Sequence, residues 1–484
     1  MHLSDDVPPL DIPPTTAEVD PGRLRRLARR FEFDRTVFYV LSARAWQTLA
    51  GPITILLIAT RLNEETRGYY YSFGSLLSVQ SLFELNLGVV LVIAAGREWT
   101  QLRLDDHGRV AGDDHAADRV AALERFARRW YFAAAILCWL IVGGTGLWLF
   151  RDAPSGGLPA WVLTVTAASA MLVYLPGLFL LQGCRQVEAV NRNYLVQSIC
   201  GSLAVWTFIL AGTGLWAVAA SWTVKVAWDA WLVRRVYAPF FRSLRERIPP
   251  SIDWISEIWP LQWRLALQSI ATAAATSSFV LALFVLRGEV SSGRMGMTLS
   301  VLNMIMWGGL AWVQTRIPIL AGYGRHNERE AYDRLFRRVS VSSMIAVTIA
   351  STAALLVIIG MRALNLTIAD AFVETAAFAL IAIATVTQHA LNCLTIYSRT
   401  RQREPFVLPV VLLNLSIAGG VWLVAGRFGE LGVSAVYAAL SLAVGLPIWI
   451  NVWRRERHDW NGSTTLQPAA APLVGEAGLF EPPG

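Results

Sequence analysis

Residues 131–150 read YFAAAILCWLIVGGTGLWLF, twenty consecutive positions without a charged side chain. At about 1.5 Å per residue a helix of that length covers about 30 Å, the thickness of a bilayer's hydrocarbon. Windows of the same kind lie at roughly 36–60, 70–95, 161–183, 194–212 and 215–233, and again at 257–286, 295–322, 339–361, 371–396, 406–426 and 432–453. They make about twelve spans. Composition points the same way: the 484 residues are 55% hydrophobic and only 16% charged, with a mean hydropathy of +0.45. A soluble core needs far less apolar material.

The formal charge of +7 does not indicate nucleic-acid binding, because the basic residues fall between apolar runs and not on one soluble face. They alternate from side to side. With the N-terminus inside, the inner segments collect Arg23 to Arg35, Arg97 to Arg129, Arg185 and Arg192, Arg234 to Arg247, Arg325 to Arg338, Arg399 to Arg403 and Arg454 to Arg457. The outer loops hold only Arg61, Arg67, Arg151, Arg287, Arg294, Arg362 and Arg427. This asymmetry places both termini in the cytoplasm. No cleavable leader is expected, since the first apolar run follows a polar, proline-rich tail. Cys138, Cys184, Cys200 and Cys393 show neither CxxC spacing nor partner histidines, so no metal site or disulfide framework is expected.

A shift of about 221 residues lays QTLA at 47–50 over QSIA at 268–271, and Ser78-Val79 falls over Ser300-Val301 at a similar shift. Six spans, a longer inner loop and six more spans then follow. The expected architecture is an all-α polytopic membrane protein with two pseudo-symmetric six-helix bundles around a central cavity. Residues 1–35 form a cytoplasmic tail with a short basic amphipathic helix, 36–236 the first bundle, 237–256 a cytoplasmic linker, 257–455 the second bundle and 456–484 a disordered tail.

Polar residues recur at helical spacing inside several spans. Arg44, Gln47, Gly51 and Thr54 share one face of the first span, and Arg264, Gln268, Thr272 and Thr276 share one face of the seventh. Ser75, Ser78, Ser81 and Glu84 follow one another in the second span; the eighth carries Ser300, Asn303, Gln314 and Arg316. Small and hydroxylated residues also serve close helix packing in lipid. The cations need a stronger reason. Arg44, Arg264, Arg316 and Lys225, the only lysine in the chain, lie on the order of 9–14 Å from the inner ends of their spans. An arginine at a span's centre costs roughly 2.5–3.5 kcal/mol. Snorkelling relieves part of that, and Asp229, four residues after Lys225, is placed to pair with it. The remaining guanidiniums outnumber the nearby carboxylates, so an anionic, phosphate-bearing ligand is expected. Pro52 and Pro318 mark candidate bends, and His389 reads as a buried, satisfied histidine.

TRLNEETRGYYYSFGSLLSVQSLFELNLG at 60–88 and RMGMTLSVLNMIMWGGLAWVQTRIP at 294–318 resemble the second-span and eighth-span regions of bacterial polysaccharide flippases. These belong to the superfamily that also holds multidrug exporters and the lipid II flippase. The resemblance implies two six-helix bundles, alternating access and cavity arginines beside a substrate's pyrophosphate, with Arg44, Arg264 and Arg316 in that role. It implies a non-enzymatic flippase of the bacterial cytoplasmic membrane. That flippase would carry a polyprenyl-pyrophosphate-linked oligosaccharide to the outer leaflet, in contact with membrane lipid and polysaccharide-assembly proteins. No cofactor is expected; proton or sodium coupling would draw on Glu84, Asp229 and the polar residues Gln47, Gln268 and Asn303. The alternatives are a multidrug exporter of the same fold, whose cavity favours acidic residues, and a membrane glycan polymerase or ligase, which the short outer loops disfavour.

Overall fold

The computed structural model describes residues 35–247, 259–401 and 403–462. The basic helix expected before residue 35 and the tail beyond 462 lie outside these residues. Helix α1 spans Arg35–Arg61 with Pro52 inside it. The second span is broken into α2 (Glu64–Ser78), α3 (Ser81–Glu84) and α4 (Leu87–Glu98). Asn63 starts α2 by accepting from the Thr66 amide at 2.8 Å. Leu85 and Asn86 interrupt the span with φ of 46° and 54°, a region few non-glycine residues occupy, and its two parts meet at 43°. The serine stripe from Ser75 to Glu84 ends just before this break.

A two-stranded antiparallel hairpin, β1 (Leu102–Leu104) and β2 (Val110–Gly112), pairs Arg103 with Ala111. Asp113 then caps α5 (Asp114–Cys138), which passes through a π turn into α6 (Gly144–Leu149). Much of the inner segment that carries Arg97 to Arg129 is thus helical. Helices α7 (Gly157–Gly183), α8 (Val187–Leu210) and α9 (Trp216–Trp231) complete the first half, with a π segment at Leu232–Val236 and the short helix α10 (Ala238–Arg245) behind them.

The second half contains α11 (Trp259–Arg287), α12 (Glu289–Gln314), α13 (Ile317–Arg325), α14 (Arg329–Ala363), α15 (Thr375–Arg399), α16 (Val407–Ala439) and α17 (Leu446–Gly462). Among the described residues eight helices are long and apolar enough to cross a membrane, and nine if the bent second span counts as one. The last of these runs 54 residues from Val407 to Trp460, about 80 Å if straight and more than twice a bilayer's hydrocarbon. It is not straight. Gly429 adopts φ 58° and ψ −145°, and a Cβ on Gly420 would stand 2.7 Å from Val436 Cγ1, so the chain folds back into two spans. With α1, and with α9 continued by the π segment to Val236, the count reaches about twelve. Helix α17 continues to Gly462, past the expected start of the tail at 456: Glu456 bonds Arg401 at 3.3 Å, and Arg401 lies between the rings of Tyr397 and Trp460, 4.7 and 4.5 Å from their centroids.

The two halves repeat a helix pairing. Helix α1 packs along α8, and α11 packs along α16. In each pair an indole bridges the helices: Trp206 Nε1 donates to Thr54 Oγ1 at 2.8 Å, and Trp422 Nε1 donates to Ser278 Oγ at 3.1 Å. The repeat visible as QTLA and QSIA is thus also a repeat of contacts.

Candidate functional site

At the arginine-poor end, where α1 turns into α2 and α11 into α12, the halves are in backbone contact. A Cβ on Gly68 would lie 2.1 Å from the Glu289 carbonyl oxygen, and one on Gly293 would lie 2.9 Å from the Gly68 nitrogen. Only glycine permits that approach. Ser72 and Ser292 hydroxyls stand 3.4 Å apart one turn deeper. Arg67, which is buried, and Arg294 approach the same Glu64 carboxylate at 3.9 and 3.8 Å. Ile58, Val205 and Ile209 from α1 and α8 enter the apolar core of the second half here. This end is closed.

Toward the arginine-rich end a cavity of about 550 Å³ opens between α1, α8 and α9. Arg44 and Gln47 enter it from α1, Asn191, Gln197 and Ser198 from α8, and Ser221 and Lys225 from α9. Of the expected stripe on α1, Arg44, Gln47 and Thr54 line the cavity, whereas Gly51 faces Met304 of α12. Arg44 is exposed and has no carboxylate partner among the described residues. The expected Lys225–Asp229 pair is replaced by another arrangement: Lys225 Nζ lies 5.2 Å from the Trp222 ring centroid. Asp229, fully buried, instead accepts from Asn193 Nδ2 at 2.8 Å and from Gln197 Nε2 through Oδ1. Its Oδ2 has no hydrogen-bond partner. A buried carboxylate held by two amides, with one oxygen free, is suited to take up a proton or a cation. Gln197 belongs both to the cavity wall and to this cluster, so it connects the two.

The other expected site residues lie elsewhere. Arg316 falls between α12 and α13, exposed, with Pro318 opening the next helix; the span ends at Gln314, so its guanidinium sits at a helix end and not inside a span. That placement removes the cost of an arginine at a span's centre. Asn303 is exposed on α12. Glu84 is half-buried at the break of the second span, where Asn86 Nδ2 donates to the Leu265 carbonyl at 2.9 Å across to α11. Arg264 lies in α11, and its side chain is outside the described residues. Gln268 accepts from Arg399 Nη2 at 3.5 Å, and Thr272 accepts from Asn414 Nδ2 at 3.2 Å. The second half therefore has its own polar patch between α11, α15 and α16. Arg44 and Lys225 share one cavity; Gln268 and Arg316 do not line it. His389 is buried, as expected, with Nε2 2.8 Å from the Ser343 hydroxyl; it is not fully satisfied, because Nδ1 has no hydrogen-bond partner among the described residues.

No family model and no curated protein sequence matches the chain. Solved structures match it across most of its length. A multidrug resistance MATE family transporter of the MOP superfamily, in an inward-facing conformation, is 11% identical, covers 88% of this chain and 99% of its own, and superposes with a TM-score of 0.65. The lipid II flippase MurJ, in an inward closed conformation, is 8% identical over 88% of this chain and 91% of its own, at 0.62. The MATE multidrug transporter DinF-BH is 13% identical over 92% and 98%, at 0.51.

The chain has the MOP-superfamily fold.

Within the MOP fold the sequence exposed the α1 stripe and Lys225. It hid Asn193 and Gln197, whose role depends on Asp229 arriving from another helix, and Arg399, which reads as a loop arginine. Gly68 and Gly293 carried a signal in retrospect: each lies among other small residues, Ser72 on α2 and Ser292 and Gly296 on α12.

Proposed function

We propose that this protein is a flippase that carries a polyprenyl-pyrophosphate-linked oligosaccharide from the inner to the outer leaflet of a bacterial cytoplasmic membrane. One observation carries the reading: the cavity beside the arginine-rich end is lined by Arg44 and Lys225 and by no carboxylate, Asp229 being held by Asn193 and Gln197. Such a wall complements a phosphate head group and repels a cationic drug. The positive-inside rule puts the arginine-rich end and both termini in the cytoplasm. The cavity then faces inward and the Gly68–Gly293 end is shut outward, in keeping with the inward-facing conformation of the MATE transporter it superposes on.

In this mechanism the pyrophosphate is held by Arg44 and Lys225, and the polyprenyl tail stays in lipid. Transfer of a bare polar head group through hydrocarbon is costly; a lined passage removes most of that cost. No covalent bond changes. Separation of α2 from α12 opens the outer side, and proton or sodium occupancy of Asp229 or Glu84 drives the cycle. Polysaccharide-assembly proteins supply and remove the substrate.

Reconstitution into proteoliposomes tests this against the multidrug reading. Lipid-linked oligosaccharide should become accessible in the outer leaflet at a rate that Arg44→Ala and Lys225→Ala each lower at least tenfold. Efflux of a cationic dye with no movement of the lipid-linked glycan would establish the exporter instead.

A further inference from the structure

A second cavity, of about 660 Å³, lies between α5, α7, the π segment after α9 and the short helix α10. It shares no lining residue with the first. Arg128, Arg234, Arg242 and Arg245 stand around it, and Val173, Tyr174, Val233 and Phe241 form its apolar wall. Glu124 is shared by Arg128 and Arg245 at 3.3 and 3.0 Å, while Glu246 is engaged by Arg109 at 2.9 Å. Arg234 and Arg242 have no carboxylate partner among the described residues. Arg234 lies over the Tyr174 ring at 5.1 Å and Arg245 over Phe241 at 5.9 Å.

The cavity's depth is fixed by sequence. Arg128 comes just before the uncharged run 131–150 begins, so the guanidiniums sit where head groups meet hydrocarbon. Helix α10 is tied over the site: Phe240, Phe241 and Leu244 are buried beneath it, Val110 of β2 donates to Ser243 Oγ at 3.2 Å, and Arg247 bonds Asp118 and Asp114 at 2.9 and 3.0 Å. Arg234 lies within the π turn Leu232–Val236, a feature frequent at functional sites.

We propose that this cavity is a binding site for an anionic glycerophospholipid of the surrounding leaflet, its phosphate held by Arg234 and Arg242 and one acyl chain laid against Val173, Tyr174 and Phe241. Basic pockets between membrane helices take such head groups. The site is independent of the transport cavity and does not require that transport reading.

The test is native mass spectrometry of the detergent-solubilised full chain titrated with phosphatidylglycerol, phosphatidylcholine or glycerol 3-phosphate. Phosphatidylglycerol should bind at one site at least tenfold more tightly than either of the others. Arg234→Ala/Arg242→Ala should lower that affinity at least tenfold, and Ala238→Trp, which fills the cavity without altering charge, should do the same. Unchanged binding in both variants overturns the site. Equal binding of phosphatidylcholine overturns the charge selection, and equal binding of glycerol 3-phosphate overturns the lipid as ligand.

Discussion

Gly68→Ala is the smallest change that should separate the halves at the closed end. The new methyl would start 2.1 Å from the Glu289 carbonyl oxygen and 2.5 Å from its carbon, both backbone atoms that no rotamer change can move. Ordinary van der Waals contact begins more than 1 Å further out, so α2 and α12 must part by about 1 Å. Overpacking of this kind costs about 1–3 kcal/mol, and that cost falls only on the conformation in which the helices touch. The ratio of closed to open molecules should therefore drop about 5- to 150-fold. Ser72→Cys with Ser292→Cys reports it, because the native hydroxyls are 3.4 Å apart. In membranes, with the partly exposed Cys200 replaced by Ser, oxidation should cross-link the pair rapidly when Gly68 is present and slowly when Ala replaces it. A thiol reagent applied from the opened side should show the reverse. Equal cross-linking and equal labelling in both backgrounds would refute the idea that this backbone contact is the closure.

Four further outcomes follow from the contacts. Arg401→Ala removes a guanidinium held between Tyr397 and Trp460 and bonded to Glu456 at 3.3 Å; loss of two such stacks should cost about 2 kcal/mol and lower the thermal midpoint of the purified protein. Trp206→Phe and Trp422→Phe each delete one interhelical hydrogen bond, worth about 1 kcal/mol apiece. Distant sites add, so the double variant should lose about twice as much in the same thermal assay. Asp229→Asn keeps the shape of the amide cluster around Asn193 and Gln197 but removes its charge; expression should be retained while transport in proteoliposomes ceases to respond to an imposed proton or sodium gradient. Asp114→Ala with Asp118→Ala releases Arg247, whose guanidinium the Asp118 carboxylate holds above its ordinary pKa, and limited trypsin digestion should then cut at that position faster.

Most spans were readable because hydrocarbon imposes one composition on every turn that crosses it. The asymmetry of the arginines and the repeat of QTLA in QSIA were readable for the same reason: both concern residue types at fixed intervals. The misplacements came from forces that hydropathy does not register. Helix α5 begins at Asp114 because Asp113 caps it, well before the apolar run starts. The second span breaks at Leu85 and Asn86 without a proline or glycine to announce it, and Asn86 is held there by a partner on α11. Arg316 looked intramembrane because the apolar pattern continues into α13, whereas the helix itself stops at Gln314. In the site, Arg44 and Gln47 were legible as a stripe on one helix; Asn193 and Gln197 were not, because what they do is decided by the side chain of a different helix.

Through their indole nitrogens Trp206 and Trp422 each fasten the first span of a half to its fifth, so the two spans of each pair are braced to move together. In the proposed cycle the glycine crossing parts, and a tilt of about ten degrees over about 30 Å of hydrocarbon would displace the ends of the helices by about 5 Å. The parting of about 1 Å that a methyl at Gly68 imposes is a first step along that displacement.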